Sequence, residues 1–201
     1  VLSYNYFFPD TDVPVAFKYI EDRDIWRWAY KEQSEPFTTA LHNKFCMKIS
    51  TYEEHPQRFE ELTNLIDTDE KINKLIDIGK AYLEYKQSLI KDISSKFQKI
   101  RIIKPATLKI NSYIGALINS NVFGSEIGNT LSSLEGINFA IIYTHHYKDN
   151  TNHFYCSIRS NTDDCDVSEI AKLFGGGGHI RASGFNINCD FGDVFEFIKD
   201  N

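Results

Sequence analysis

The apolar residues of the chain change their spacing twice, and each change marks a different kind of element. Val1-Leu2-Ser3-Tyr4-Asn5-Tyr6-Phe7-Phe8 carries enough apolar and aromatic side chains to read as a buried helix or strand, ended by Pro9-Asp10-Thr11-Asp12-Val13-Pro14. A helix is expected to start at Val15. A mixed stretch follows from Glu35 to Glu54, with a turn expected at Glu35-Pro36 and apolar spots at Leu41, Phe45 and Ile49. Pro56 suits the first turn of a helix over Gln57 to Asp67, because Phe59, Leu62, Leu65 and Ile66 recur at helical spacing. A second helix is expected from about Glu70 to Gln98, with a stripe from Ile72, Leu75 and Ile76 through Tyr85 and Leu89 to Ile93 and Phe97. At ~1.5 Å per residue it would be roughly 40 Å long, the length of a connector between two domains.

After Pro105 the period shortens. Thr107 to Ile118 alternates as a strand does, Asn119-Ser120 is a polar turn, and Ser125 to Leu134 reads as a helix. Asn138 to His145 is a buried strand, Lys148 to Asn152 a loop, and Phe154 to Arg159 its paired strand. Asp166 to Phe174 is a helix with its N-cap at Asp166. Gly184 to Ile187 is a short strand, and Gly192 to Lys199 is expected to close the chain as an amphipathic helix. Strands interleaved with helices make this half an α/β unit.

Composition narrows the function classes. The chain has 201 residues, 42% hydrophobic and 25% charged, enough for one large or two small domains. No apolar run approaches the ~20 residues of a membrane span, so a membrane is not an expected partner. The net charge of -6 argues against a broad basic face for long nucleic acid but leaves room for a small phosphorylated ligand held by local donors. Cys46, Cys156, Cys165 and Cys189 form no CxxC pair, which fits reduced thiols in a cytoplasmic protein. The chain opens on Val1 in the middle of an apolar stretch, and the N-terminal portion of a longer protein is expected to precede it.

Two stretches carry candidate chemistry. In Phe174-Gly175-Gly176-Gly177-Gly178-His179, four glycines stand between apolar flanks, unlike a Gly/Ser linker. Such a run lets backbone N–H groups approach an anion, and it follows a helix C-terminus, so its own donors and not a helix dipole must attract that anion. His179 and Arg181 can add side-chain donors. Ser157-Ile158-Arg159-Ser160 ends a strand with a cation and two hydroxyls, where Arg159 suits a phosphate by its planar fork or else pairs with Asp163 or Asp164. Tyr19 to Trp28 gathers three carboxylates in four positions beside Arg23 and two tryptophans. Asp22 or Asp24 there could bind a hard divalent cation, or the cluster could be an Asp–Arg ion-pair network under an aromatic lid. His145 and His146 point to opposite faces of a strand and read as surface residues.

The order and spacing of Ser157-Ile158-Arg159-Ser160, Asp166-Val167-Ser168-Glu169-Ile170-Ala171, Phe174 to His179 and Ala182-Ser183-Gly184-Phe185 closely resemble the C-terminal DHH-associated domain of DHH-family phosphoesterases. Tyr19 to Trp28 looks like the end of that family's N-terminal catalytic domain, in the exopolyphosphatase-related or oligoribonuclease-like branch. The resemblance implies a two-lobed α/β protein. Residues 1–55 would be the remnant of the α/β catalytic domain, 56–104 a helical connector, and 105–201 a substrate-binding domain with a central mixed β-sheet flanked by helices.

It also implies an activity: hydrolysis of phosphodiester or phosphomonoester bonds at a two-metal Mn²⁺ or Mg²⁺ centre. By position, Asp22 matches the last metal-binding and catalytic aspartate. Arg159, Ser160, Gly175, Gly176, Gly177, Gly178 and His179 match the clamp on the substrate phosphate. The family's paired-aspartate motif, its next single aspartate and its Asp-His-His motif do not occur in the chain and would lie before Val1, so this portion is expected to be inactive or nearly so. Expected ligands are short oligonucleotides, small phosphorylated nucleotides or polyphosphate. The competing class is a non-catalytic module that binds tRNA-like nucleic acid, as DHH-associated domains do in alanyl-tRNA synthetases. A dimerisation role for the long helix, and so a homodimer, stays open.

Overall fold

The computed structural model of the protein describes residues 1–45, 56–103 and 112–199. Cys46, Ile49 and the first part of the strand expected from Thr107 lie outside those residues. The chain divides into two compact units, Val1–Ser88 and Leu89–Asn201.

The described residues of the first unit are helical: α1 (Leu2–Phe7), α2 (Val15–Asp24), α3 (Lys31–Phe45), α4 (Pro56–Ile66) and most of α5 (Asp69–Ser94). Its core is Ala16, Phe37, Ala40, Leu41, Ile72, Leu75 and Ile76. Three expectations change here. The opening stretch is a helix but buries nothing, with Leu2 84% and Tyr6 80% exposed. Its rings instead pair among themselves and with Phe17, as in Tyr4–Phe8 and Tyr4–Phe17. Glu35-Pro36 is no turn, because α3 runs straight through Pro36. Burial of Phe37, Ala40 and Leu41 outweighs the hydrogen bond that proline cannot donate. The long helix α5 ends at Ser94 instead of Gln98, since Gln98–Ile102 forms a strand, β1, with Ile100 and Ile102 fully buried.

The second unit is a seven-stranded mixed sheet. Along the chain come β1, β2 (Gly115–Asn119), α6 (Gly124–Ser132), β3 (Phe139–Lys148), β4 (Thr151–Arg159), α7 (Val167–Leu173), β5 (Gly177–His179), β6 (Ala182–Ile187) and β7 (Phe195–Ile198). The spatial order is β5-β6-β4-β3-β2-β1-β7. β2 and β3 pair in parallel and the other neighbours antiparallel, which is the mixed sheet with flanking helices that the sequence led us to expect. The β3–β4 loop is a two-residue turn whose Asp149 and Asn150 both have positive φ, as residues of this type tolerate.

Alternation assigns each strand residue to a face. One face presents Ile100, Leu117, Phe139, Ile141, Ile158 and Phe185 to Val167, Ile170 and Ala171 of α7. The other presents Ala116, Ile118, Ala140 and Ile142 to Ile127 and Leu131 of α6 and to Ile90 and Ile93 from the end of α5. The expected closing helix over Gly192 to Lys199 is instead a short 3-10 turn followed by β7. Val194-Phe195-Glu196-Phe197-Ile198 satisfies both periodicities, and pairing with β1 decides for the strand.

The tightest helix contact of the first unit is between α5 and α3, where a Cβ on Gly79 would collide with the Pro36 carbonyl. Gly79→Ala should therefore lower the unfolding free energy by about 1–3 kcal/mol in chemical denaturation. Gly192→Ala, which meets open space, should stay within about 0.5 kcal/mol.

Candidate functional site

The glycine run does several local jobs before it can meet a ligand. Helix α7 begins at Asp166, whose Oδ1 accepts from the Ser168 N–H at 2.8 Å and the Ser168 hydroxyl at 2.7 Å, as an N-cap should. It ends with Gly175 at φ +74, donating to the Lys172 carbonyl at 3.0 Å, and Gly176, donating to the Ala171 carbonyl at 2.9 Å. This pair of bonds is a Schellman stop, which needs a left-handed residue at Gly175. Gly176 lies so close to β6 that a Cβ would strike the Gly184 carbonyl and Phe185. Gly177 and Gly178 continue as edge strand β5 along Gly184 and Ser183. Two of the four N–H groups, those of Gly175 and Gly176, are thus committed to helix carbonyls.

Arg159 is the cation of this region that stands apart. It is half-buried at the end of β4, with its Nη1 donating to the Ile158 carbonyl at 3.0 Å and its Nη2 3.5 Å from the Ser125 hydroxyl. No carboxylate pairs with it among the described residues, and burial lowers its pKa from the usual guanidinium value. It nevertheless stays charged at any physiological pH. Its stem is pressed against α6, where a Cβ on Gly128 would come within 2.7 Å of Arg159 Cγ and 2.8 Å of Ile142 Cδ1. A mid-helix glycine costs about 1 kcal/mol, less than the roughly 1.5–3 kcal/mol contributed by each of its buried neighbours Ile127 and Leu131, so α6 tolerates it.

The guanidinium therefore sits at the first turn of α6, whose Phe123 cap makes no side-chain capping bond. Beside that turn opens a cleft of about 510 Å³ on the sheet face that α6 leaves uncovered. Ser120 and Asn121 after β2, Gly124 of α6, Ser157 of β4, Gly175, Gly176 and Gly184 line it. The carboxyl end of a parallel strand and the helix that follows it are the usual place for a ligand in such sheets. Cys156 also lines it, but burial pushes that thiol up to about 12, so it is not a nucleophile.

The other sequence-predicted residues fall around this cleft in different ways. Ser160 is buried, and its hydroxyl is engaged with Thr162, donating to the carbonyl at 2.9 Å and accepting from the N–H at 3.2 Å. Arg181, and not Arg159, takes Asp163, through Nε to Oδ1 at 2.8 Å. The side-chain hydrogen bond and charge of Arg181 hold the Asp163 carboxyl below its ordinary value. His179 is exposed on β5. His145 and His146 are exposed, as expected. Ser125, Gly128, Asn121, Tyr155 and Asn186 were not singled out from sequence, since they are spread over α6, the loop before it, β4 and β6, and only the strand order brings them together.

In the first unit, Asp22 is 1% exposed and accepts three bonds: from the Ala29 N–H at 2.7 Å, the Tyr30 N–H at 3.1 Å and the Ser34 hydroxyl at 2.7 Å. Desolvation raises its pKa, but the Ser34 hydroxyl and the two backbone donors outweigh it and hold the carboxyl below the ordinary value. Asp24 is exposed, and Arg23 lies over the rings of Trp26 and Trp28 at 5.1 and 5.4 Å. Among the described residues no group of three or more His, Cys, Asp or Glu side chains could hold a metal ion. With its oxygens so engaged, Asp22 and its neighbours do not compose a metal centre by themselves.

Comparison with known proteins adds limited likeness. No family model matches the chain. An uncharacterized protein of Acanthamoeba polyphaga mimivirus is 32% identical over 202 residues, covering 99% of this chain, which spans only 43% of that relative's length. Among solved structures, an uncharacterized protein from Helicobacter pylori has a TM-score of 0.36 at 17% identity, covering 94% of this chain and 62% of the other. An exopolyphosphatase-related protein from Bacteroides fragilis has 0.37 at 18%, covering 61% and 38%. A pGpG-specific phosphodiesterase from Vibrio cholerae has 0.41 at 15%, covering 82% and 55%. Likenesses this loose carry no functional argument. No helix among the described residues is long and apolar enough to cross a membrane.

Two outcomes follow from the local geometry. In thermal melts Gly175→Ala and Gly176→Ala should both destabilise, the first by about 1 kcal/mol, while Gly177→Ala, facing open space, should be near neutral. Because the folded-state pKa of Asp22 is depressed, its stabilisation is fully present above the ordinary aspartate value of about 3.9 and is lost as pH falls through the folded value. Asp22→Asn should then lower Tm at neutral pH, Asp24→Asn should not, and the Asp22→Asn deficit should shrink in melts below about pH 4.

Proposed function

We propose that the chain is part of a phosphoesterase acting on short oligonucleotides or small phosphorylated nucleotides, and that its second unit supplies the clamp on the substrate phosphate. The observation that carries this reading is Arg159: a half-buried guanidinium with no carboxylate partner among the described residues, fixed against α6 two residues along β4 from Ser157, which lines the cleft. A cation held in this way has no counter-ion among the described residues, and a phosphate offers the bidentate partner that the planar guanidinium prefers. The motif resemblance to DHH-associated domains supports the same assignment. His179 is available as a second donor on the neighbouring edge strand. Ser160, with its hydroxyl engaged by Thr162, contributes by shaping the loop after Arg159. In the glycine run, Gly175 and Gly176 line the cleft and let its wall approach closely, while Gly177 and Gly178 carry the chain out to His179.

The Mn²⁺ or Mg²⁺ ions that the resemblance implies would activate water and stabilise charge at phosphorus. Their ligands are not assembled by the described residues, and Asp22 would serve there only if a metal displaced its present donors. Calorimetric titration of a 5′-phosphorylated dinucleotide into the chain tests the clamp. Micromolar-range binding is expected, weakened at least tenfold in Arg159→Ala and less in His179→Ala, as the loss of a charge-assisted pair requires. Unchanged affinity in a folded Arg159→Ala variant would sink the reading.

A further inference from the structure

Helix α5 carries an apolar stripe that the core of its own unit does not use. Ile72, Leu75 and Ile76 belong to that core. Ile78, Tyr82 and Tyr85 follow Leu75 at spacings of three, four and three, the narrow seam by which helices pair, yet they are 40%, 44% and 67% exposed. Neither tyrosine has a hydrogen bond or ring contact among the described residues. At one end the seam shares Leu75 and Ile78 with a groove of about 560 Å³ in the same unit, which Leu65 of α4 also lines. Lys44 from the end of α3, Lys71 and Lys74 line it as well, with Glu61 as its one carboxylate. Lys71 is taken by Asp67 at 2.9 Å and by the Asn64 carbonyl at 2.6 Å, whereas Lys44 and Lys74 have no carboxylate partner among the described residues.

An open apolar seam continuous with a groove is the kind of surface onto which an amphipathic helix lays its own apolar positions. Charge selects which helix. The positions that flank the seam along α5 are Lys74, Gly79, Ala81 and Lys86, two lysines and no carboxylate. A second copy of α5 laid on the seam brings lysines and no acid to meet them, so charge opposes self-pairing. A helix with Asp or Glu beside its apolar positions supplies the missing counter-charges to Lys74 and, in the groove, to Lys44. This excess of cations is local, since the whole chain carries a net charge of -6. We propose that the α4–α5 face of the first unit docks an acidic amphipathic helix of a partner protein, with its apolar positions on Ile78, Tyr82 and Tyr85 and its carboxylates on Lys44 and Lys74. The surface involves none of the residues assigned to the phosphate clamp.

A displayed library of random peptides of about 16 residues, some four helical turns, tests this when selected on the chain and counter-selected on its Tyr82→Ser/Tyr85→Ser variant. Enriched peptides are expected to space apolar residues at helical intervals and to carry Asp or Glu beside them. In fluorescence anisotropy the most enriched peptide should lose affinity about tenfold or more in Tyr82→Ser/Tyr85→Ser, as the removal of interface aromatics does. It should lose about fivefold or more in Lys44→Glu/Lys74→Glu and bind more weakly as salt is raised. All four side chains are exposed, so circular dichroism should match the parent chain, and Ile78→Thr replaces the tyrosine pair should that variant fail to fold. No enrichment over the counter-selection, enriched peptides without acids, or affinity untouched by either pair of substitutions in folded protein overturns the proposal. Sedimentation checks the other occupant: a dimer of the chain that dissociates in Tyr82→Ser/Tyr85→Ser would put a second copy on the seam and overturn it too.

Discussion

A parallel pair of strands cannot be closed by a tight turn, and the second unit is arranged around that constraint. β2 and β3 run side by side, so the chain between them must cross over the sheet, and it does so as α6. The crossover fixes where α6 begins, and so where the sheet face is covered and where it is left open. The apolar side of α6 is satisfied over Ala140 and Ile142, and the stem of Arg159 passes where Gly128 has no side chain to meet it. The cleft opens beside the start of that crossover helix, and Arg159 is held against the same helix.

The glycine run shows how one stretch can meet several demands at once. Its first residue stops a helix, its second admits the backbone of β6, and its last two form an edge strand ending at His179. An anion-cradling turn is a natural reading of four glycines, but the first two N–H groups already have partners. Of the two arginines nearby, Arg181 is paired with Asp163, while Arg159 has no carboxylate partner among the described residues.

Much of the fold was legible because periodicity is a local property. α2 and α4 start where Val15 and Pro56 suggest, Asp166 caps α7, and the β3–β4 pair reads directly from alternation. The misreadings fall where local patterns are ambiguous. Lys99-Ile100-Arg101-Ile102 alternates, yet the heptad-like stripe before it carries a helix reading up to its edge. The last strand exists only through pairing with β1, which no short window contains. Pro36 looks like a breaker until the burial on either side is known. The site divides in the same way. Arg159 and the glycines announce themselves by chemistry, whereas Gly128, Tyr155 and Asn186 are ordinary residues made significant by the order β6-β4-β3.

β5 carries a further consequence for the life of the protein in a crowded solution. A sheet edge offers unpaired backbone groups to any passing strand, and long, apolar edges invite stacking into fibres. Here that edge is three residues long, two of them glycine, with a polar imidazole at its end. An incoming strand finds almost no side-chain surface on which to fix a register. The same economy of side chains that leaves room beside the cleft also blunts this edge of the sheet against self-assembly.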